Sequence, residues 1–423
     1  GQLQKIEVPI DANAQPFREW MTVELRTAWT VGGKTYPAGA LLVTNFKDFL
    51  AGKREFTVLY EPTANSSLAS HNWTRHHLIL NVLEDVKNRL TVLTPAKGAW
   101  KRSEFAGAPP FSSVSAYGVD ADESDDYFMN VSGFLAPPSL FHGRIGGKPE
   151  KLKEMPAYFD ASNLEVAQYF ATSKDGTKIP YFQVSRKGMK LDGSNPTLLN
   201  GYGGFEVSEL PAYASSIGRA WLAQGGVYAL ANIRGGGEYG PRWHQAALKQ
   251  NRHRAYEDFA AIAQDLVARK VTSVARLGAM GGSNGGLLMG NMITLYPQLF
   301  GAIVCQVPLL DMKRYSHLLA GASWMAEYGD PDKPEEWAFI QTFSPYQNLK
   351  PGLKYPPTLF ATSTRDDRVH PGHARKMMAR MMELGADVRY YENIEGGHGG
   401  AADNSQRAHM WAMAYTFLWQ KLK

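Results

Sequence analysis

The 423-residue sequence predicts an α/β fold with a mostly parallel sheet, preceded by an all-β segment. Residues 1 to about 150 are short runs of Val, Leu, Phe and Tyr, separated by Gly, Pro, Asn and Asp clusters. This pattern is typical of an all-β repeat array or a sandwich. After a Gly-, Lys- and Pro-rich connector at 143–156, apolar strand-like runs alternate with amphipathic helices such as YEDFAAIAQDLVARK and HARKMMARMMELG. Such alternation indicates a parallel sheet with helices on both faces. We therefore divide the chain into domains at 1–150 and 151–423.

Composition excludes several classes of function. The net charge is +5, from 45 basic and 40 acidic side chains that are interspersed along the chain. Without a long basic block, a nucleic-acid partner is not expected. No apolar run reaches the roughly 18 residues of a spanning helix, so we expect no membrane segment. The sequence thus predicts a soluble protein, and it leaves the cytoplasm and the periplasm open as its compartment.

One motif of the second domain is a serine flanked by glycines. Residues 281–285, GGSNG, match G-x-S-x-G, follow the strand-like run RLGAM and open a helical run. This is the context of a nucleophile elbow, the strained turn that presents the serine of an α/β-hydrolase. Glycines suit such a turn because they lack a Cβ that would clash. The helix start directs backbone N–H groups toward an anion that develops beside the serine.

Two phosphate-binding alternatives fit less well. A P-loop would end in Lys-Ser or Lys-Thr, whereas the serine turn continues into Leu287 and Leu288. The run GGGEYG at 235–240 formally matches a dinucleotide fingerprint, and Asp258 follows at a suitable distance. However, Pro241 and a bulky RWH follow that run, where a helix should open against the strand. We therefore do not expect a dinucleotide site at the second run.

A base and an orienting acid follow Ser283 in the order expected for an α/β-hydrolase. Asp366 and Asp367 lie in the segment TRDDRVH that follows the strand-like run TLFATS, and His398 lies in the glycine-flanked loop EGGHGG after the run VRYYENI. Carboxyl ends of parallel strands meet at one edge of a sheet, so these side chains should converge. A serine hydroxyl that loses its proton to an imidazole, itself oriented by a carboxylate, performs acyl transfer. This chemistry requires no metal or organic cofactor.

Two other histidines lie closer in sequence to the aspartates. His370 and His373 precede or enter the helical run HARKMMARMME. We interpret both as structural or solvent-facing residues.

Six motifs in order, NGYGGF, ANIRGGGEYG, GGSNGG, GASWMAEYG, DDRV and GGHG, resemble those of the prolyl oligopeptidases, serine peptidases of the prolyl endopeptidase type. The resemblance covers almost all of the second domain. It implies that Ser283 is the nucleophile, His398 the general base and Asp366 the orienting acid. It further implies an oxyanion hole formed by the Tyr202 hydroxyl and the backbone N–H of Asn284.

The resemblance also implies a substrate pocket. Trp324 would stack on the proline ring of a short peptide substrate, Phe205 and Tyr328 would line the same pocket, and Arg368 would bind a substrate carbonyl. The expected activity is hydrolysis of short peptides on the carboxyl side of proline. Without the resemblance, Trp324 would be interpreted as a core residue.

The sequence departs from the family pattern beside this pocket. Glu206 follows Phe205 where the family carries a small polar residue, and Pro308 and Leu309 occupy positions of a glycine and a smaller aliphatic residue. An acid here would admit basic substrate residues, so a peptidase of basic or broad preference, as in the oligopeptidase B type, is the alternative. An esterase on the same fold and an inactive binding protein are further alternatives.

The family's other domain is a seven-bladed β-propeller. Residues 1–150 would supply its last blades, about three at roughly 40–50 residues each. Three blades cannot close a propeller. The resemblance therefore implies the C-terminal part of a longer protein, with the missing N-terminal propeller segment as a candidate separate chain and partner.

Overall fold

The computed structural model describes residues 3–105 and 109–423. Residues 1–2 and 106–108 of the predicted all-β segment lie outside the described residues. The chain divides into two compact units, and the first comprises Gly1–Pro156, Leu210–Tyr213 and Gly237–Trp243. The remainder, from Ala157 onward, forms the second unit.

The first unit is a partial β-propeller. Its described residues form three four-stranded antiparallel sheets, in which strands adjacent in sequence pair with one another. Such sheets are the blades of propellers. The first sheet consists of β1 (Asn13–Phe17), β2 (Trp20–Glu24), β5 (Leu41–Asn45) and β6 (Thr57–Tyr60), and β3 (Trp29–Val31), β4 (Lys34–Tyr36) and α1 (Phe46–Leu50) are insertions in it. The second comprises β7 (Ser66–Trp73), β8 (Leu78–Glu84), β9 (Lys87–Ala96) and β10 (Ala99–Glu104), and the third β11 (Ser112–Gly118), β12 (Asp126–Gly133), β13 (Ser139–Arg144) and β14 (Glu150–Glu154).

The alternation of side chains along β8 explains how the middle sheet packs on both neighbours. Leu78 and Leu80 pack in a cluster with Leu41 of the first sheet. Ile79, between them, packs in another cluster with Met129 of the third sheet. Successive strand residues point to opposite faces, so one apolar run supplies both interfaces.

The first unit also includes segments that the sequence alone assigns to the second domain. Strand β14 lies inside the predicted connector at 143–156. The segment Gly237–Trp243 belongs to the first unit, and the Tyr239 hydroxyl donates a hydrogen bond of 2.9 Å to Asp85 there. A single boundary at residue 150 cannot describe a chain that returns to the first unit after it has entered the second.

The second unit is built on one eight-stranded sheet, in the order β15-β16-β18-β17-β19-β20-β21-β22. Its strands are β15 (Leu164–Thr172), β16 (Lys178–Arg186), β17 (Thr197–Asn200), β18 (Val227–Ala231), β19 (Leu277–Gly282), β20 (Ala302–Gln306), β21 (Thr358–Ser363) and β22 (Val388–Asn393). The first two strands are antiparallel to their neighbours, and the pairs from β18 to β22 are parallel. This is the α/β-hydrolase architecture that the sequence predicts.

Helices cover the parallel strands, and β18, β20 and β21 are buried at every position. The long helices match the predicted amphipathic runs, and shorter ones lie in the loops. They are α2 (Ser215–Ile217), α4 (His253–Ala268), α5 (Asn284–Leu295), α6 (Met325–Tyr328), α7 (Pro334–Ile340), α8 (Pro345–Asn348), α9 (Gly372–Glu383) and α10 (Asn404–Leu422), while α3 (Pro241–Gln245) begins within the segment assigned to the first unit. Within the described residues, no helix is long and apolar enough to cross a membrane.

His373 has a structural role in the second unit. Its side chain is buried at the start of α9, and its Nδ1 accepts hydrogen bonds from the backbone N–H groups of Leu310 (3.1 Å) and Asp311 (3.0 Å). Burial lowers the pKa of His373 to about 4, with the nearby charges of Asp311 and Lys376 as lesser influences. The imidazole therefore ties α9 to the loop after β20 in its neutral form.

We expect His373 to make the protein less stable in mild acid. Below pH 6.5 the unfolded chain binds a proton on this histidine and the folded chain does not, so stability falls as the pH drops from 6.5 toward 4. The loss amounts to roughly 3 kcal/mol over that window. His373→Asn retains an acceptor but does not titrate. Urea unfolding of both proteins between pH 7 and pH 4 should therefore show a steeper loss for the parent, and parallel curves would contradict this account.

Candidate active site

The predicted site residues of the second unit follow the carboxyl ends of four parallel strands. Tyr202 comes two residues after β17, Ser283 directly after β19, Asp366 three residues after β21 and His398 five residues after β22. These ends lie along one edge of the sheet, which is where ligands bind in open α/β folds. Sequence positions as far apart as 202 and 398 are thereby brought to one place.

Ser283 occupies a strained turn. Its φ is 60° and its ψ −117°, a conformation that non-glycine residues rarely adopt. The backbone N–H of Ser283 donates a hydrogen bond of 2.9 Å to the Gln306 carbonyl at the end of β20. Helix α5 begins at the next residue, Asn284. Strand, turn and helix thus follow one another as a nucleophile elbow requires.

The glycines around Ser283 allow close approach of the backbone. A Cβ on Gly281 would lie 2.5 Å from the Gly285 carbonyl oxygen and 3.0 Å from that of Gly201. A Cβ on Gly286 would lie 2.6 Å from Cβ of Pro308. Real Cβ atoms essentially never lie within 3.0 Å of another heavy atom, so the contacts of 2.5 and 2.6 Å mean that the turn needs glycine at these positions for space.

A hydrogen-bonded chain joins the serine, the histidine and the aspartate. His398 Nε2 lies 3.0 Å from Ser283 Oγ, and His398 Nδ1 lies 2.7 Å from Asp366 Oδ2. An ionised carboxylate only accepts, so Nδ1 carries the imidazole proton and Nε2 accepts from the serine hydroxyl. The buried Asp366 is fixed through Oδ1, which accepts the backbone N–H groups of Arg368 and Val369 at 2.9 Å each. The arrangement can remove a proton from Ser283.

Two groups that can donate a hydrogen bond to an anion follow the carboxyl ends of β17 and β19. The N–H of Asn284 belongs to the first turn of α5, where backbone N–H groups have no intrahelical acceptor. Burial raises the pKa of the Tyr202 hydroxyl, while the charges of Arg252 and Arg368 partly offset the shift. Tyr202 therefore stays protonated at neutral pH and can donate a hydrogen bond.

The predicted pocket residues differ in their exposure. Trp324 is half-buried at the end of a 3₁₀ turn, Arg368 is exposed, and Leu309 is only 2% exposed. The rings of Phe205 and Tyr328 pack edge to face with centroids 5.7 Å apart. Tyr328 is fully buried, so it supports the Phe205 ring from behind.

Sequence reasoning missed a buried charged cluster beside the site. Glu327 Oε1 accepts from Arg252 Nη1 at 2.8 Å, and Glu327 Oε2 lies 2.7 Å from His244 Nε2. Burial alone raises the pKa of the Glu327 carboxyl, but the His244 hydrogen bond and the Arg252 charge outweigh it and lower the pKa overall. Glu327 lies within the GASWMAEYG motif, which is a usable signal. Arg252 and His244 carry no motif signal, because their partner is distant in sequence.

Asp258, the acidic residue that a dinucleotide site would require, is engaged in an ion pair within the protein. Asp258 is buried and accepts from Arg234 Nη2 at 2.7 Å, and Arg234 Nη1 lies 2.6 Å from Asp175. Asp258 therefore anchors the segment that follows β18 to α4 through an ion pair.

Comparison with known proteins matches this arrangement to one family. Residues 213–423 match the profile of the Prolyl oligopeptidase family. An uncharacterized peptidase of Sinorhizobium fredii is 49% identical over 402 residues, which are 94% of this chain and 55% of that protein. A prolyl endopeptidase of Elizabethkingia miricola is 38% identical over 303 residues, covering 70% of this chain and 43% of that protein.

A solved structure of a post-proline cleaving enzyme from Rickettsia typhi superposes with a TM-score of 0.93 at 35% identity. The superposition covers 100% of this chain and 62% of that one. This chain thus spans about half the length of the curated relatives described above.

We expect neighbouring glycines of the turn to differ sharply in their tolerance of alanine. Gly281→Ala forces a backbone shift, whereas a Cβ on Gly282 would make ordinary contacts, the nearest at 3.7 Å from Gln306. Gly281→Ala should lose about 1–3 kcal/mol of unfolding free energy and label poorly with a serine-directed phosphonate. Gly282→Ala is the matched control and should stay close to the parent in both measurements. Equal behaviour of the two variants would contradict the close-approach explanation.

Proposed function

The chain belongs to the prolyl oligopeptidase family of serine peptidases, and on that premise we propose that it hydrolyses short peptides on the carboxyl side of proline. The observation that carries the proposal is the continuous hydrogen-bonded chain from Ser283 through His398 to Asp366, with the serine on a strained turn. This combination of strain and a paired base is characteristic of an activated nucleophile.

In the proposed mechanism, Ser283 Oγ attacks the carbonyl carbon of the scissile peptide bond while its proton passes to His398 Nε2. Asp366 stabilises the resulting imidazolium and holds its orientation. The negative charge on the former carbonyl oxygen is accepted by the backbone N–H of Asn284 and the hydroxyl of Tyr202. His398 then returns the proton to the departing amine, which leaves an ester on Ser283. A water molecule, deprotonated by His398, hydrolyses this ester.

We propose the preference for proline from the aromatic residues that the resemblance assigns to the substrate pocket and from the relatives. Trp324 retains partial exposure, and Phe205 presents a second aromatic ring that Tyr328 supports. Flat aromatic surfaces suit the ring of proline. The relatives named prolyl endopeptidase and post-proline cleaving enzyme support the same substrate class.

The second candidate function is cleavage after basic substrate residues. The position and partial exposure of the Glu206 carboxylate favour it. Its backbone directly follows Phe205 in the left-handed region, with φ of 59°, and its side chain is 23% exposed. Its carboxylate lies 3.7 Å from His244 Nδ1, so a basic substrate residue would compete with that imidazole for Glu206.

Short chromogenic peptides with Pro, Arg or Ala before the scissile bond distinguish these candidates. We expect clear preference for proline, and Ser283→Ala should lower kcat by on the order of 10⁶-fold. Glu206→Gln should leave proline cleavage unchanged. Preference for arginine that disappears in Glu206→Gln would establish the second candidate instead. Folded protein that neither turns over a peptide nor reacts with a phosphonate would refute the hydrolase proposal.

Tyr202→Phe tests the proposed side-chain donor of the oxyanion hole. Loss of one such donor should lower kcat by about 10²–10³-fold, with a much smaller change in KM, because the hydrogen bond strengthens in the transition state. Steady-state kinetics on the best peptide measure both constants. An unchanged kcat would remove Tyr202 from the mechanism and leave the serine chemistry in place.

A further inference from the structure

A cluster of charged side chains is buried beside the site, although the proposed chemistry does not use it. Arg252 is 1%, Glu327 3% and His244 9% exposed. Charged groups are rarely buried without a specific set of partners, since desolvation is costly. The contacts of Arg252 and Glu327 therefore indicate what the cluster holds in place.

The Arg252 guanidinium contacts both sides of the proposed oxyanion hole. Its Nη2 donates to the carbonyl oxygen of Gly203 at 2.8 Å and to Asn284 Oδ1 at 2.6 Å. Gly203 follows Tyr202 in what we call the tyrosine loop, residues 201–206, and Asn284 begins α5. One rigid planar group thus spans the two segments that supply the donors.

The side chain of Asn284 completes this connection. Its Nδ2 donates to the Tyr202 carbonyl at 2.8 Å, and its Oδ1 also accepts from the Tyr328 hydroxyl at 2.7 Å. Asn284 therefore bonds directly to the backbone of Tyr202, whose side chain is the proposed donor.

Glu327 acts at the other end of the tyrosine loop. Phe205 and Glu206 both have left-handed φ values, 55° and 59°, and two consecutive non-glycine residues in this region are strained. The backbone N–H of Phe205 donates to Glu327 Oε1 at 3.0 Å, the same oxygen that receives Arg252. Strained backbone persists only where its surroundings impose it, and this carboxylate supplies one of those constraints.

We propose that the buried Arg252–Glu327 ion pair is a positioning pair, which holds the tyrosine loop against the start of α5 and so places the Tyr202 hydroxyl relative to the Asn284 N–H. This inference rests on the proposed function. The pair does not touch the reacting atoms in this scheme. It acts through Tyr202, so its contribution should depend on the Tyr202 hydroxyl.

A double-mutant cycle of Glu327→Gln with Tyr202→Phe tests the dependence. Glutamine keeps the shape and an acceptor but removes the charge that orients Arg252. In the parent, Tyr202→Phe should lower kcat about 100-fold. In the Glu327→Gln background the same change should lower kcat by less than about threefold, because the hydroxyl is no longer in place. Equal effects in both backgrounds would overturn the proposal.

Asp265→Asn is the matched control. Asp265 lies near the other end of α4, is partly buried and accepts a hydrogen bond of 2.5 Å from the Tyr181 hydroxyl. Its substitution also removes one carboxylate charge bonded within the second unit. The full effect of Tyr202→Phe should persist in this background. Loss of the effect here as well would show that general destabilisation explains the coupling, which would overturn the positioning role.

Arg252→Lys replaces Glu327→Gln in the cycle should the latter fail to fold. Lysine keeps the buried positive charge but lacks the fork that spans Glu327, Gly203 and Asn284. The expected loss of the Tyr202→Phe effect is the same, and a fully retained effect counts against the proposal.

Hydrogen exchange separates failure of this inference from failure of the proposed function. Amides of the tyrosine loop should exchange about tenfold faster in Glu327→Gln than in the parent or in Asp265→Asn. Hydrogen exchange can be measured on an inactive protein. An inactive parent would therefore refute the proposed function and still allow this test of the positioning role. Unchanged exchange in Glu327→Gln would overturn the positioning role even in an active enzyme.

Discussion

The left-handed backbone of Ser283 is the constraint on which the site depends. A turn this tight brings β19, α5 and the loop after β17 within backbone contact, and glycines at 281 and 285 leave the space that the contact needs. The same turn directs the serine side chain toward His398 and begins α5 at the next residue, where the first N–H groups have no intrahelical acceptor. A relaxed turn at Ser283 would separate the hydroxyl from its base and the helix start from the serine.

The strain is distributed beyond the serine. Phe205 and Glu206 also have left-handed φ values. The side chain of Asn284, next to Ser283, bonds to the tyrosine loop, and the Glu327 carboxylate bonds to the strained backbone at Phe205. Buried ion pairs are seldom a net source of stability, but loss of one partner is costly. Such a pair is therefore suited to specifying one arrangement of two loops, which is a different role from adding stability to the fold.

The first unit follows simpler physical rules. Its three four-stranded sheets pack through apolar side chains, and the middle strand β8 buries alternate residues against both neighbouring sheets. Period-two patterning predicted strands there, but it left a sandwich and a repeat array open, because alternation indicates that one face of a strand is buried and does not specify what covers that face. The resemblance to the family favoured the repeat array, and the sheet order agrees with it.

The sequence by itself determined the α/β class of the second part, its mostly parallel strands and the order of Ser283, Asp366 and His398. These are local properties, since periodicity, glycine turns and motif order can be read along the chain. Only the tertiary structure decided the partners of Arg252, Glu327 and His244, and the membership of Gly237–Trp243 in the first unit. Arg252 and Glu327 are 75 residues apart. A buried charge finds its partner through packing of distant segments, and no spacing rule along the chain encodes that choice.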